Sequence, residues 1–239
     1  MNMGKIKAVL FDLDGTLLPM DQDTFIAAYF GGLTKKFAPL GYDPKALVSG
    51  IWKGTGAMVM NNGEKLNEER FWETFSAIVG SDILYRTADF DEFYENKFCE
   101  VQKSCGYSPR ALDVINAVKA RGLRVILATN PIFPATATYQ RCAWAGLSPD
   151  MFELITTYEN SHYCKPNIKY YEEILAKTGL SPDECAMVGN DVGEDMIAER
   201  LGIRTFLLTD CLINKSGEDI SRYENGSFDE LIVFINTLD

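Results

Sequence analysis

The sequence predicts an α/β protein: an open parallel sheet flanked by helices, with an α-helical segment inserted after the first strand. Three observations carry this. Short, largely apolar runs break off in polar residues at Ala8–Phe11, Arg124–Thr129, Ala186–Val188 and Arg204–Leu208, as strands buried on both faces do. Helical patterns separate the later runs, and strand–helix alternation implies parallel pairing through right-handed crossovers. Residues 18–106, by contrast, carry helical spacings, hold about half of the aromatic residues and contain no run that would extend the sheet.

Each element has a local reason. Ser108-Pro109 opens a helix with a hydroxyl cap and a proline start, Leu112, Ile115, Ala117 and Val118 give its apolar face, and Gly122 ends it. A second helix runs through Tyr170, Ile174 and Leu175 to Gly179. Ser181-Pro182-Asp183-Glu184 has the form of a capping box. A third helix passes through Met196, Ile197 and Ala198 towards Gly202, and a closing helix covers Phe228–Leu238. Within the insertion, Phe25, Ala28, Tyr29 and Leu33 share one helix face, as do Phe71, Phe75 and Ile78 after the cap candidate Asn67. The expected organisation is a Rossmann-like core from residues 1–17 and 107–239, with a helical cap domain over residues 18–106.

Composition narrows the function. The 239 residues are 46% hydrophobic and 24% charged, with a formal charge of -11, which opposes the basic surface that nucleic-acid binding demands. No apolar run is long enough to span a bilayer. The start of the chain lacks the pattern of a secretory leader or a myristoylation site, and its end lacks a prenylation box. Six scattered cysteines without CxxC or zinc-like spacing read as reduced thiols of a cytoplasmic protein. A single histidine, His162, argues against a His-based zinc site or a Ser-His-Asp triad.

In open parallel sheets, ligands bind beyond the carboxyl ends of the strands, where strand order reverses. Polar clusters stand at those ends here: Asp12-Leu13-Asp14-Gly15-Thr16, Thr129-Asn130, and Asn190-Asp191 running on to Asp195, with Lys165-Pro166 before a helix. Asp12 and Asp14 can divide labour between attack on an electrophile and proton handling. Thr129 and nearby amides can cradle phosphate oxygens. Asp191 and Asp195 share a face if a helix begins there, as oxygen ligands for a hard cation such as Mg²⁺ or as acids complementing a helix N-terminus. Lys165 supplies a compact positive charge.

This set resembles the haloacid dehalogenase superfamily of aspartyl phosphatases. Asp12-Leu13-Asp14-Gly15-Thr16 is similar to its first motif, Ala128-Thr129-Asn130 to its second, Lys165-Pro166 to its third and Gly189-Asn190-Asp191 to Asp195 to its acidic fourth, in the family's order. The resemblance implies that Asp12 attacks phosphorus and forms an aspartyl-phosphate, while Asp14 protonates the leaving oxygen and later activates water. It implies Mg²⁺ held by Asp12, the Asp14 carbonyl and Asp191, with Asp195 a direct or water-mediated ligand. Thr129 and the Asn130 amide would bind phosphate, and Lys165 would stabilise nucleophile and intermediate. Many members carry Gly-Asp where this chain has Gly189-Asn190, which leaves Asn190 as the alternative ligand to Asp191.

The expected function is therefore a cytoplasmic, Mg²⁺-dependent phosphatase acting on a small phosphorylated metabolite. A hexose-phosphate mutase and a catalytically silent binding module on the same fold are the alternatives. Lys53-Gly54-Thr55-Gly56 lacks P-loop spacing and reads as a flexible turn, with a substrate-facing stretch of the cap as the alternative, and His162 reads as a loop or surface residue.

Overall fold

In a computed structural model, residues 5–238 are described; the N-terminal stretch read for a leader and the terminal Asp239 lie outside them. The elements, in order, are β1 (Ala8–Phe11), α1 (Gln22–Phe37), α2 (Pro44–Val59), α3 (Asn67–Val79), α4 (Thr87–Asn96), α5 (Arg110–Ala120), β2 (Arg124–Leu127), α6 (Ala135–Trp144), β3 (Leu154–Ile155), α7 (Ile168–Thr178), β4 (Cys185–Gly189), β5 (Arg204–Leu208), β6 (Glu224–Gly226) and α8 (Phe228–Asn236). Short 3-10 turns link several of them. The six strands form one parallel sheet in the order β3-β2-β1-β4-β5-β6.

Period-two alternation explains why the strands read as unbroken apolar runs. Val9 and Phe11 of β1, with Val125, Leu127, Ala186 and Val188, face α5 and α8. Ala8 and Leu10, with Ile126, Cys185 and Met187, face α7. Both faces are covered, and every residue of β1 is fully buried. Strand order reverses at β1, which pairs with β2 on one side and β4 on the other. The carboxyl end of β1 therefore opens into the switch-point crevice.

The insertion is helical, as its spacings predict. Asp21 and Asp43 cap α1 and α2 by accepting from Thr24 N and Ala46 N. Its aromatics join the sheet's own core: Phe25, Phe37, Phe75, Phe93 and Phe98 belong to the same buried cluster as Val9 and Phe11. At its base the Asn67 amide, wholly buried, donates to Pro131 O and lies 3.3 Å from Cys164 Sγ.

Several expectations are corrected. Lys53–Gly56 is not a turn but part of α2, which runs through to Val59; Gly54 serves close helix packing, since a Cβ there would lie 2.6 Å from the Phe71 ring of α3, whereas Gly56 stands in open space. The capping box at Ser181 is present but closes only a 3-10 turn ahead of β4. The helix expected through Met196 is likewise a 3-10 turn, Met196–Leu201. The short edge strands β3 and β6 and the helix α6 were not foreseen. Replacing Gly54 by valine overpacks the α2–α3 contact, and the urea midpoint should fall by an amount equivalent to about 1–3 kcal/mol.

Candidate active site

β1 ends by handing its ladder to the crevice: Asp12 N donates to Val188 O at 2.9 Å and Ala128 N to Phe11 O at 2.7 Å. Asp12 is thereby fixed with its carboxylate at the switch point. Lys165 Nζ donates to Asp12 Oδ1 at 2.8 Å and to Asp195 Oδ1 at 2.6 Å. The lysine is 1% exposed and Asp195 equally so. Burial alone would lower the lysine's pKa; the two carboxylates outweigh it and hold the ammonium well above its usual range. Burial pushes the Asp195 carboxyl up, against the pull of Lys165.

The remaining Asp195 oxygen, Oδ2, accepts from Asp191 N at 2.9 Å. Asp191 and Asp195 do not share a helix face. They close a turn instead, with Asp195 N on Asp191 O at 2.9 Å. Asp191 Oδ1 accepts from Gly193 N at 2.7 Å and Glu194 N at 3.0 Å, and these local bonds take the place of a helical ladder. Gly189 leaves room for the arrangement, since a Cβ there would fall 2.1 Å from Asp195 Oδ2. Asn190 serves as a tie: its Nδ2 donates to Cys211 O at 2.7 Å and its Oδ1 lies 2.9 Å from Thr16 Oγ1, which also lies 3.1 Å from Asp12 Oδ2. Gly15, at φ 86°, passes over Asn190 so closely that a Cβ would lie 2.3 Å from its Nδ2.

Thr129 is held through its carbonyl, which accepts from Thr156 Oγ1 at 2.6 Å and from Tyr170 OH at 2.9 Å. Asn130 Nδ2 donates to Glu194 Oε2 at 3.0 Å, while Asn130 Oδ1 is buried without a partner. Asp12, Asp14, Thr129, Asn130, Asp191 and Asp195 all line one cavity of about 440 Å³ between the strand ends and α1–α4. Lys165 lies behind them, against Asp12. Among the described residues no group of three or more His, Cys, Asp or Glu forms a ready metal cage.

Two residues escaped the sequence reading. Arg141 of α6 is fully buried, forms an ion pair with Asp14 and lies 4.4 Å above the Phe133 ring. Burial raises the Asp14 carboxyl and Arg141 offsets part of that rise; Asp14 Oδ1 has no partner. Glu194, pushed up by burial, lines the cavity beside Asn130. A glutamate between Asp191 and Asp195 was visible as a signal. Arg141 was not: α6 starts at Pro134 with Ala135 N donating to Glu159 Oε1 at 2.8 Å, a cap 24 residues away. His162 is a loop residue, as expected, and its Nδ1 lies 2.8 Å from Glu173 Oε1.

The fold and this rim define a parallel-sheet α/β enzyme with a buried carboxylate–ammonium centre. The chain belongs to the haloacid dehalogenase-like hydrolases, a family whose model matches residues 6–209. It is 26% identical over 210 residues to the pyrophosphatase PpaX of Bacillus pumilus, covering 86% of this chain and 84% of that protein. A predicted phosphoglycolate phosphatase from Haemophilus somnus superposes with a TM-score of 0.60 at 16% identity, over 98% of this chain and 99% of that one. The hydrolase YfnB of Bacillus subtilis, solved bound to magnesium, gives 0.55 at 16% identity, over 98% and 100%.

Two outcomes follow from these contacts. Arg141→Met leaves Asp14 without its cation. The loss of stability at pH 7 should fall near the lower end of the roughly 3–5 kcal/mol typical of a broken buried pair, because Asp14, already raised by burial, then holds a proton more readily; denaturant unfolding measures it. Burial raises Glu173, but its bonds from His162 and Lys177 outweigh that and depress its pKa. The stabilisation is present above the unfolded-state value and is lost as pH falls through the folded one. Glu173→Gln should therefore lower Tm at pH 7 and cost progressively less as the pH drops below about 4.

Proposed function

We propose that the chain is a Mg²⁺-dependent phosphatase acting on a small phosphorylated metabolite through an aspartyl-phosphate, with α1–α4 as a cap over the strand ends. The observation that carries the reading is the buried Lys165 ammonium bridging Asp12 and Asp195 in a crevice that also holds Asp14. A carboxylate fixed by an ammonium is oriented to attack phosphorus, and the same cation offsets charge gathering on the transferred group.

The donor set fits the metal. Mg²⁺ is usually held by one or two carboxylates plus water and substrate phosphate rather than by an all-protein cage, and Asp12 and Asp191 face one cavity. Asp12, Asp191 and the Asp14 carbonyl would hold it, and it would polarise the phosphoryl oxygens. Asp195, with one oxygen on Lys165 and the other on the Asp191 amide, would orient both and reach the metal through water. The magnesium bound in YfnB supports the choice of metal.

Asp12 forms a bond to phosphorus as the ester P–O bond breaks, and the leaving oxygen takes the Asp14 proton. Water then attacks phosphorus, returns a proton to Asp14 and releases Asp12. Burial favours the protonated form of Asp14, which suits an acid. Thr129 and the Asn130 amide would grip the phosphate. Closure of α1–α4 over the cavity would exclude bulk water. The six unpaired cysteines suit a reducing, cytoplasmic setting, and among the described residues no helix is long and apolar enough to cross a membrane.

Asp12→Asn should lower Mg²⁺-dependent phosphate release from an aryl phosphate by at least about 10³-fold while leaving the circular dichroism spectrum unchanged. Turnover at the wild-type rate would remove Asp12 as nucleophile.

A further inference from the structure

The part of the cavity that faces away from the rim is aromatic, and α1–α4 contribute no cation to it. Residues 22–104 contain nine lysines and arginines, yet none of them lines the cavity; the charged side chains that this segment places there are Asp23 and Asp91. Lys215, from the loop after β5, stands on the strand-end side. Phe30, Trp52, Phe71, Trp72, Phe133 and Tyr158 all line the cavity and all retain exposed surface. Their rings already contact one another in pairs: Phe30 and Trp52 lie 5.6 Å apart, Phe71 and Trp72 5.5 Å. All six also border the cavity, so an occupant there could cover part of that open ring surface.

This wall reaches the chemistry. Phe133 packs edge-on against Tyr29 at 5.3 Å and lies beneath Arg141, which holds Asp14. A leaving group protonated by Asp14 would have its first carbons near Phe133 and its remainder in the part of the cavity that Trp52 and Trp72 help line. A volume of about 440 Å³ is within the range of small-molecule sites, and a two-carbon acid would leave most of it unfilled. A second carboxylate or phosphate would be desolvated against ring faces that repel anions, beside two aspartates.

We propose that the preferred substrate is a phosphate monoester whose organic part is apolar, of aromatic size and without a second anionic group. This rests on the phosphatase reading and departs from the substrates in the names of PpaX and the Haemophilus protein.

The test compares kcat/KM of the full chain with Mg²⁺ on 2-phenylethyl phosphate, phosphoglycolate and inorganic pyrophosphate. The two esters share an alkoxide leaving group, so intrinsic reactivity does not decide between them. The phenylethyl ester should lead phosphoglycolate by at least ~100-fold. Trp52 is 50% exposed and tolerates charge, so Trp52→Arg should shrink that lead at least ~10-fold, through KM. Equal or faster turnover of phosphoglycolate or pyrophosphate overturns the substrate class and leaves a phosphatase. If nothing is hydrolysed, the phosphatase reading fails. Tryptophan quenching then decides the cavity's preference by itself in the Asp12→Asn variant: saturation by the phenylethyl ester and not by phosphoglycolate supports it, and the reverse order overturns it.

Discussion

A lysine ammonium with 1% of its surface exposed, shared between two carboxylates, is the constraint on which the rest of the crevice depends. Taking one cation and two anions out of water costs several kcal/mol per ion, and only close pairing with further hydrogen bonds offsets it. The chain meets that demand with backbone. Asp12 is fixed by strand pairing on both sides of β1, and Asp195 by the Asp191 amide. Lys165 is set by the loop whose His162 is tied to Glu173 of α7. Three distant segments are thus locked at one point. Carboxylates that outnumber the ammonium in that cluster, with Asp191 alongside, make a setting that attracts a hard cation, and an anionic phosphate would need such a cation in place first.

The sheet's topology makes this point accessible. Strands buried on both faces leave no lateral opening, and at its carboxyl end β1 presents its polar groups past Phe11. Because β2 and β4 diverge on either side of it, the ends of β1 and β4 and the loop after β2 border one crevice. The helical insertion then shares a continuous apolar cluster with the sheet, while Asn67 binds its base to the loops bearing Pro131 and Cys164. Packing of this kind holds an aromatic surface above the carboxylates.

What the sequence revealed and what it hid divide along the range of the interactions. β1 and β5 match their apolar runs residue for residue, because double-sided burial writes itself into consecutive positions. The α7 terminus at Gly179 is legible because a left-handed residue there, φ 66°, is a local requirement. Asp12, Asp14, Thr129, Asn130 and Asp191 converge on one cavity, with Lys165 bonded to Asp12, since polar residues ending buried strands can lie only at the sheet's edge. Where local bonding competes with helical periodicity, as in Asp191–Glu194, the helix expectation fails. Gly54 misled for a related reason: a glycine chosen for helix-to-helix clearance looks like one chosen for a turn. β3 and β6, of two and three residues, are too short to carry a pattern.

Arg141 is the instructive omission. An arginine flanked by Gln140 and preceded by alanines, threonines and Tyr139 reads as solvent-facing, and no acidic residue stands within eight positions of it. Its environment is assembled from afar, by Asp14 at the end of β1, by Phe133, and by Glu159 at the start of α6. The consequence is a linkage between chemistry and selectivity. The guanidinium that fixes one Asp14 oxygen, leaving the other unpartnered in the crevice, rests on the same ring that borders the aromatic wall. A change in the wall at Phe133 would therefore shift the Asp14 carboxyl as well as the leaving group's contact surface. Phe133 thus couples the proposed acid to the proposed binding wall, whereas Trp52, half exposed at the wall, can be varied separately.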